Sequence, residues 1–156
     1  MSYIDQLWSL LDVLIAAVLG GVIGFERESK GKPAGLRTNM VIAASAAIIV
    51  MLSRQLLVDF DLHFTRDVIK ADPVRIIQSI VIGVSFIGAG TVIKSESKEA
   101  VKYLTTAATI LLSACLGICV GMKLYVFAVG VALLGLVINY VFRWIYRKYK
   151  HRNDKD

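Results

Sequence analysis

Asp12 interrupts an apolar run, and Glu26-Arg27-Glu28 closes the same run, so charge stands where an apolar segment tolerates it least. A carboxylate at mid-depth in hydrocarbon costs ~2.5–3.5 kcal/mol on insertion scales, and less near an interface. Asp12 therefore reads in two ways. It can be a ligand for a cation or a proton inside a bundle, or it can mark the polar boundary of a run that starts later. Glu26 follows the apolar run directly and Arg37 opens the next. Facing inward, a Glu26–Arg37 pair would tie two segments together or gate a polar site; exposed, it would contribute ~0–1 kcal/mol.

Asp72-Pro73 carries a helix-start signal, a capping carboxylate followed by proline at the first helical position. Arg75 then sits at the positive end of that helix dipole and calls for a partner, with Asp72, Asp59 and Asp61 the available carboxylates. Gly83, Gly88 and Gly90 mark close backbone approach or a break in a helix that lines a cavity. Gly20, Gly21 and Gly24, by their spacing, allow close helix packing. Thr105, Thr106, Thr109 and Ser113 form a hydroxyl stripe. Hydroxyls on helices commonly bond the preceding turn's carbonyls, and a stripe opposite a glycine-rich segment could alternatively coordinate an ion.

Other chemistry is thin. Cys115 and Cys119 lie one turn apart with no histidine in their run, which favours packing over metal binding. His63 and His151 are isolated. There is no phosphate-binding GxxxxGK[ST] loop, nucleophile elbow or zinc-protease helix, so ATP-driven pumping by this chain alone is excluded and no enzyme is expected. No cofactor and no metal-ligand set is evident.

The elements that must position these residues follow from hydropathy. Of 156 residues, 56% are hydrophobic, and the mean hydropathy is +0.66. Apolar residues come in runs near the ~20 residues needed to span a bilayer. The runs predict an all-α, polytopic membrane helix bundle with spans at about 7–25, 38–58, 76–93, 105–122 and 124–142. The domain reading is one transmembrane domain over 1–142 and a short basic tail over 143–156. The net charge of +6 fits basic residues gathered on one membrane side and needs no nucleic acid. Thirteen Lys and Arg fall on the face carrying the first loop, the third loop and the tail, and five on the other. That bias places the N-terminus outside and the C-terminus in the cytoplasm. Met1–Gln6 has no basic residue, so a cleavable signal peptide is not expected. The turn at Lys123 leaves open a re-entrant hairpin.

A shift of 68 residues aligns the first hairpin with the second without a gap and gives nine identities from Val18 to Ala46, among them Gly20 with Gly88 and Glu28-Ser29-Lys30 with Glu96-Ser97-Lys98. Both hairpins would run the same way, as parallel repeats, and a site would then fall between them. Chance similarity of two apolar hairpins is the alternative.

Four stretches together resemble the MgtC/SapB family of bacterial membrane proteins: Gly20-Gly21-Val22-Ile23-Gly24-Phe25-Glu26-Arg27-Glu28; Ala34-Gly35-Leu36-Arg37-Thr38; Asp72-Pro73-Val74-Arg75-Ile76 with Phe86-Ile87-Gly88-Ala89-Gly90; and Leu104-Thr105-Thr106-Ala107-Ala108-Thr109. The resemblance carries over Glu26, Arg27, Arg37, Asp72, Arg75, Gly88, Gly90, Thr105 and Thr106. The pattern departs at Ser79, where the family has Gln, and at Ser85 and Tyr103, where it has Gly. The resemblance implies a bacterial plasma-membrane protein tied to magnesium limitation, acid or phosphate stress and intracellular survival. It implies a non-enzymatic modulator of other membrane machinery, including the proton-driven ATP synthase, more than a transporter; a small ion carrier or channel between the hairpins is the alternative. Longer members carry a cytoplasmic C-terminal domain, whose roles do not transfer to this sequence. Expected partners are membrane lipids, other membrane proteins and a second copy of the chain through glycine faces such as Gly117, Gly121, Gly130 and Gly135. Bound magnesium is compatible with the resemblance but is not dictated by the residues.

Overall fold

The computed structural model describes residues 2–63, 72–93 and 100–153, with side chains described at 2–58, 72, 74–93 and 103–140. The repeat matches Glu96, Ser97 and Lys98, the side chains of Asp59 and Asp61, and those of the basic tail lie outside the described residues. Five helices account for the described fold: α1 Tyr3–Glu28, α2 Leu36–His63, α3 Pro73–Ile93, α4 Ala100–Gly121 and α5 Tyr125–Asn153. Stretches of 26, 23, 20 and 19 residues in α1 to α4 are long and apolar enough to cross a membrane, and α5 contributes a shorter apolar stretch, Tyr125–Tyr140. The chain is an all-α membrane helix bundle. Its exposed leucines, isoleucines and valines face outward because hydrocarbon, not water, is their solvent.

Local chemistry sets the helix ends. Ser2 and Asp5 form a reciprocal capping box that starts α1 earlier than hydropathy alone would place it. The first turn of α3 is capped as the Asp72-Pro73 pair predicts: the Val74 amide donates to Asp72 Oδ1 at 2.9 Å. A three-residue turn joins α4 to α5, with Lys123 at φ +64°. In contrast to one of the two sequence readings, α3 is not broken at its glycines but runs unbroken from Pro73 to Ile93.

Helix α4 is the centre, touching each of the other four. Around it lie α3, α2, α1 and α5 in that order, and among the described residues α5 is in contact only with α1 and α4. Close approach depends on glycine. A Cβ at Gly20 would sit 2.4 Å from the Asn39 carbonyl oxygen, and one at Gly24 would sit 2.6 Å from that of Gly35. Gly117 is tighter still against Ala43. In the α2–α4 seam Ala46 and Ala114 cluster with Val50 and Ile118, and Ile80 of α3 joins them.

Candidate functional site

Close packing of α1 on α2 brings the polar end of α1 against α4. Arg27, three residues after the Gly24 that lets α1 settle on α2, is fully buried. Its Nη2 donates to Thr106 Oγ1 at 2.5 Å, bridging the two hairpins. Among the described residues its Nε and Nη1 have no acceptor and no carboxylate pairs with it. A guanidinium carries five donors. Burying one with two of its nitrogens unanswered costs ~1–3 kcal/mol per neutral group and more for a charge.

A second bridge runs deeper. Asn39, also fully buried, accepts from Ser113 Oγ at 2.7 Å and donates through Nδ2 to the carbonyls of Ala34 and Gly35 at 2.6 and 2.9 Å. One amide thus fixes the loop before α2 and locks α2 to α4. Glu28 completes the loop by accepting from the Leu36 amide at 2.7 Å, an acidic cap on the N-terminus of α2. The seam between hairpins is therefore polar at this end, built from Arg27, Thr106, Asn39 and Ser113.

The expected Glu26–Arg37 pair is not formed. Glu26 Oε1 binds Lys30 one turn along α1, and Arg37 is exposed. The helical geometry decides this: positions four apart on one helix are neighbours, whereas the loop turns Arg37 away. Among the described residues the second carboxylate oxygen of Glu26 is buried without a partner. Thr109 follows the bland reading of the stripe, with Oγ1 donating to the Thr105 carbonyl at 2.6 Å. Ser113 does not; it reaches across to another helix. Thr105 itself is exposed.

At the opposite end Asp12 is only 4% exposed. Its Oδ1 accepts from the Tyr125 hydroxyl at 2.6 Å and its Oδ2 pairs with Lys123. Donating to the Asp12 carboxylate raises the Lys123 pKa above the ordinary lysine value. Asp72 and Arg75 stand apart from this site, 3.6 Å from one another and exposed. Gly20, Gly24 and Gly88 meet neighbouring helices, Gly88 with its Cβ position 3.2 Å from that of Ala107. Among the described residues a Cβ at Gly83 or Gly90 would meet nothing within 4 Å. The charged and hydroxyl candidates thus fall into three places, not one shared cavity. Among the described residues, no group of three or more His, Cys, Asp or Glu could hold a metal ion.

Asn39, Lys123 and Tyr125 are partners of the candidate residues that sequence reasoning passed over as site residues. An asparagine inside an apolar run was the available signal for the first; the other two depend on a contact more than a hundred residues away.

The model of the MgtC family matches residues 13–148, which include Arg27, Asn39, Thr106 and Ser113. The chain belongs to the MgtC family. It is 34% identical to an uncharacterized protein of Haemophilus influenzae over 97% of this chain and 64% of the relative. It is 37% identical to SapB of Bacillus subtilis over 89% of this chain and 58% of that protein. It is 31% identical to YhiD of Escherichia coli K12 over 92% and 65%, a relative whose name carries a provisional assignment to magnesium transport. The chain thus spans less than two thirds of the length of these relatives. No solved structure matches it. Within this MgtC-family chain, the polar seam joins the two hairpins at the end where α1 meets α2.

Proposed function

We propose that this chain is a non-enzymatic modulator of other membrane machinery in the bacterial plasma membrane, acting in adaptation to magnesium or related cation stress. The family and the name of YhiD supply the link to magnesium. The observation that carries the choice of modulator over cation carrier is Arg27, a guanidinium buried at the seam where a conduit between hairpins would run. A fixed positive charge in a low-dielectric passage opposes a divalent cation strongly. Asp12, the buried carboxylate that could have attracted one, is held by Lys123 and Tyr125. The orientation belongs to the same proposal: N-terminus outside, C-terminus and basic tail inside, with residues 1–142 as the membrane domain. The tail's six basic residues add ~1 kcal/mol each of attraction to anionic lipid.

Reconstituted vesicles test the choice. The purified chain is expected to give no magnesium, proton or potassium flux above empty vesicles, while a pull-down from native membranes recovers a stoichiometric membrane protein. Magnesium flux that rises in Arg27→Met, with no partner recovered, would overturn the reading. Removing an unneutralised buried charge is expected to leave the melting temperature in detergent unchanged or higher. Growth of a deletion strain under magnesium limitation should then be rescued by the wild type and not by Arg27→Met.

A further inference from the structure

Arg54 and Lys123 stand where two cavities meet, at the Asp12 end of the bundle. One cavity, of about 290 Å³, lies between α1 and α2 and is polar: Asp5, Trp8 and Ser9 of α1 line it together with Arg54 and Gln55 of α2. The other, of about 450 Å³, lies between α2 and α3 and is mostly apolar, with Val50, Leu57, Ile76, Ile77 and Met122 around Ser53. Arg54 and Lys123 line both, so the two cavities adjoin across these side chains.

In the polar cavity the charges are divided between the walls. Lys123 already answers Asp12. Arg54 is exposed, and among the described residues no carboxylate lies within ion-pair distance of it. Asp5, on the α1 wall, accepts from the Ser2 amide through Oδ2 at 2.9 Å, and its Oδ1 accepts no bond among the described residues. An unpaired guanidinium and a carboxylate that share a cleft without pairing with each other complement a zwitterion. The guanidinium fork matches a phosphate. A carboxylate beside an indole ring suits an ammonium, which is drawn to both. The four ionisable side chains gathered here, Asp5, Asp12, Arg54 and Lys123, carry no net charge, which favours a ligand that carries none. Their depth agrees. Asp5, Arg54 and Lys123 lie at or near the ends of membrane-length stretches, at the level of lipid headgroups.

We propose that this pair of cavities binds a zwitterionic phospholipid with an ammonium headgroup. Its phosphate sits on Arg54 with Lys123 alongside, its ammonium between Asp5 and Trp8, and one acyl chain in the cavity between α2 and α3. The size of the apolar cavity argues for a chain and not a protein segment. A helix about 10–12 Å across would fill that volume in about one turn, whereas an extended acyl chain is narrower. A purely anionic lipid would gain Arg54 but bring its negative charge against Asp5 with no ammonium to offset it. The site goes beyond the modulator reading and does not depend on it.

Lipid binding to the purified full chain tests it, read by native mass spectrometry in mild detergent and by the melting temperature as lipid is added. The probes are phosphatidylethanolamine; phosphatidylglycerol, which has the phosphate but no ammonium; and phosphoethanolamine, which has the headgroup charges but no chain. The expected result is that phosphatidylethanolamine binds roughly fivefold tighter than phosphatidylglycerol, and that phosphoethanolamine does not bind at millimolar concentration. Arg54→Gln should weaken both lipids. Asp5→Asn should weaken phosphatidylethanolamine alone and so erase the preference. Ser53→Phe, which puts a ring into the apolar cavity, should weaken both, while Arg37→Gln at the other end of α2 should change neither. The arginine variants should keep the wild-type elution volume, since both side chains are exposed. Equal or tighter binding of phosphatidylglycerol, or a preference indifferent to Arg54→Gln and Asp5→Asn, would overturn the proposal. So would phosphoethanolamine binding as tightly as the lipid, which would make this a site for a soluble solute. Neither magnesium flux nor a protein partner enters these readouts, so failure here leaves the modulator reading standing.

Discussion

Asn39 shows what a single buried amide does in a bundle of this kind. It satisfies two loop carbonyls and one hydroxyl from a helix 74 residues away. Asn39→Leu leaves the Ala34 carbonyl and the Ser113 hydroxyl without this partner, while the Gly35 carbonyl keeps the bond from the Asn39 backbone amide, and each buried orphan costs ~1–3 kcal/mol. Its melting temperature in mild detergent should fall well below that of Thr109→Val, which loses only a bond to the preceding turn of its own helix. The contrast also explains what the residues disclosed in advance. The cap at Asp72 is local, two residues from its acceptor, and was legible from the Asp-Pro pair. Arg27 with Thr106, and Asp12 with Lys123, are 79 and 111 residues apart. Composition and spacing locate such residues as unusual but cannot say which two will meet.

Among the elements, glycine divides into positions that pack and positions that do not, and only packing tells them apart. Gly117 stands against the backbone carbonyl of Ala43, so a methyl group there can be accommodated only by separating α2 from α4. Gly117→Ala should cost about 1–3 kcal/mol, the usual range for overpacking, while Gly83→Ala should be neutral or slightly stabilising through helix propensity. Thermal unfolding of the two variants side by side checks this. The α4–α5 turn makes a second prediction. Asp12 raises the Lys123 pKa, so the charged pair's contribution is complete below the ordinary lysine range and is lost as pH climbs through the raised value. Unfolding of the wild type should therefore be insensitive to this pair from neutral pH up to the lysine range and weaken above it. Lys123→Met should remove that alkaline loss and be less stable at neutral pH. Because Lys123 is 41% exposed, the effect should be modest.

For the molecule as a whole, the lengths of the apolar runs carried most of the architecture. Four of the five spans coincide with helices that are long and apolar enough, and the fifth is shorter in its apolar part than in its helix. The order of helices around α4 was not legible, because every span has an apolar surface and lipid accepts any of them. Reporter fusions check the orientation: a periplasm-active enzyme should work at the N-terminus and fail at the C-terminus, and the reverse pattern or two like ends would reject it. The central place of α4 has a consequence for biosynthesis. Three helices leave the ribosome before the one they share, so the first hairpin can close at once while α3 waits in lipid with few neighbours. Until α4 enters, neither Arg27 nor Asn39 has its cross-hairpin partner. The nascent chain must therefore hold a buried cation and an amide in waiting, which makes that interval the stage most exposed to quality-control proteases.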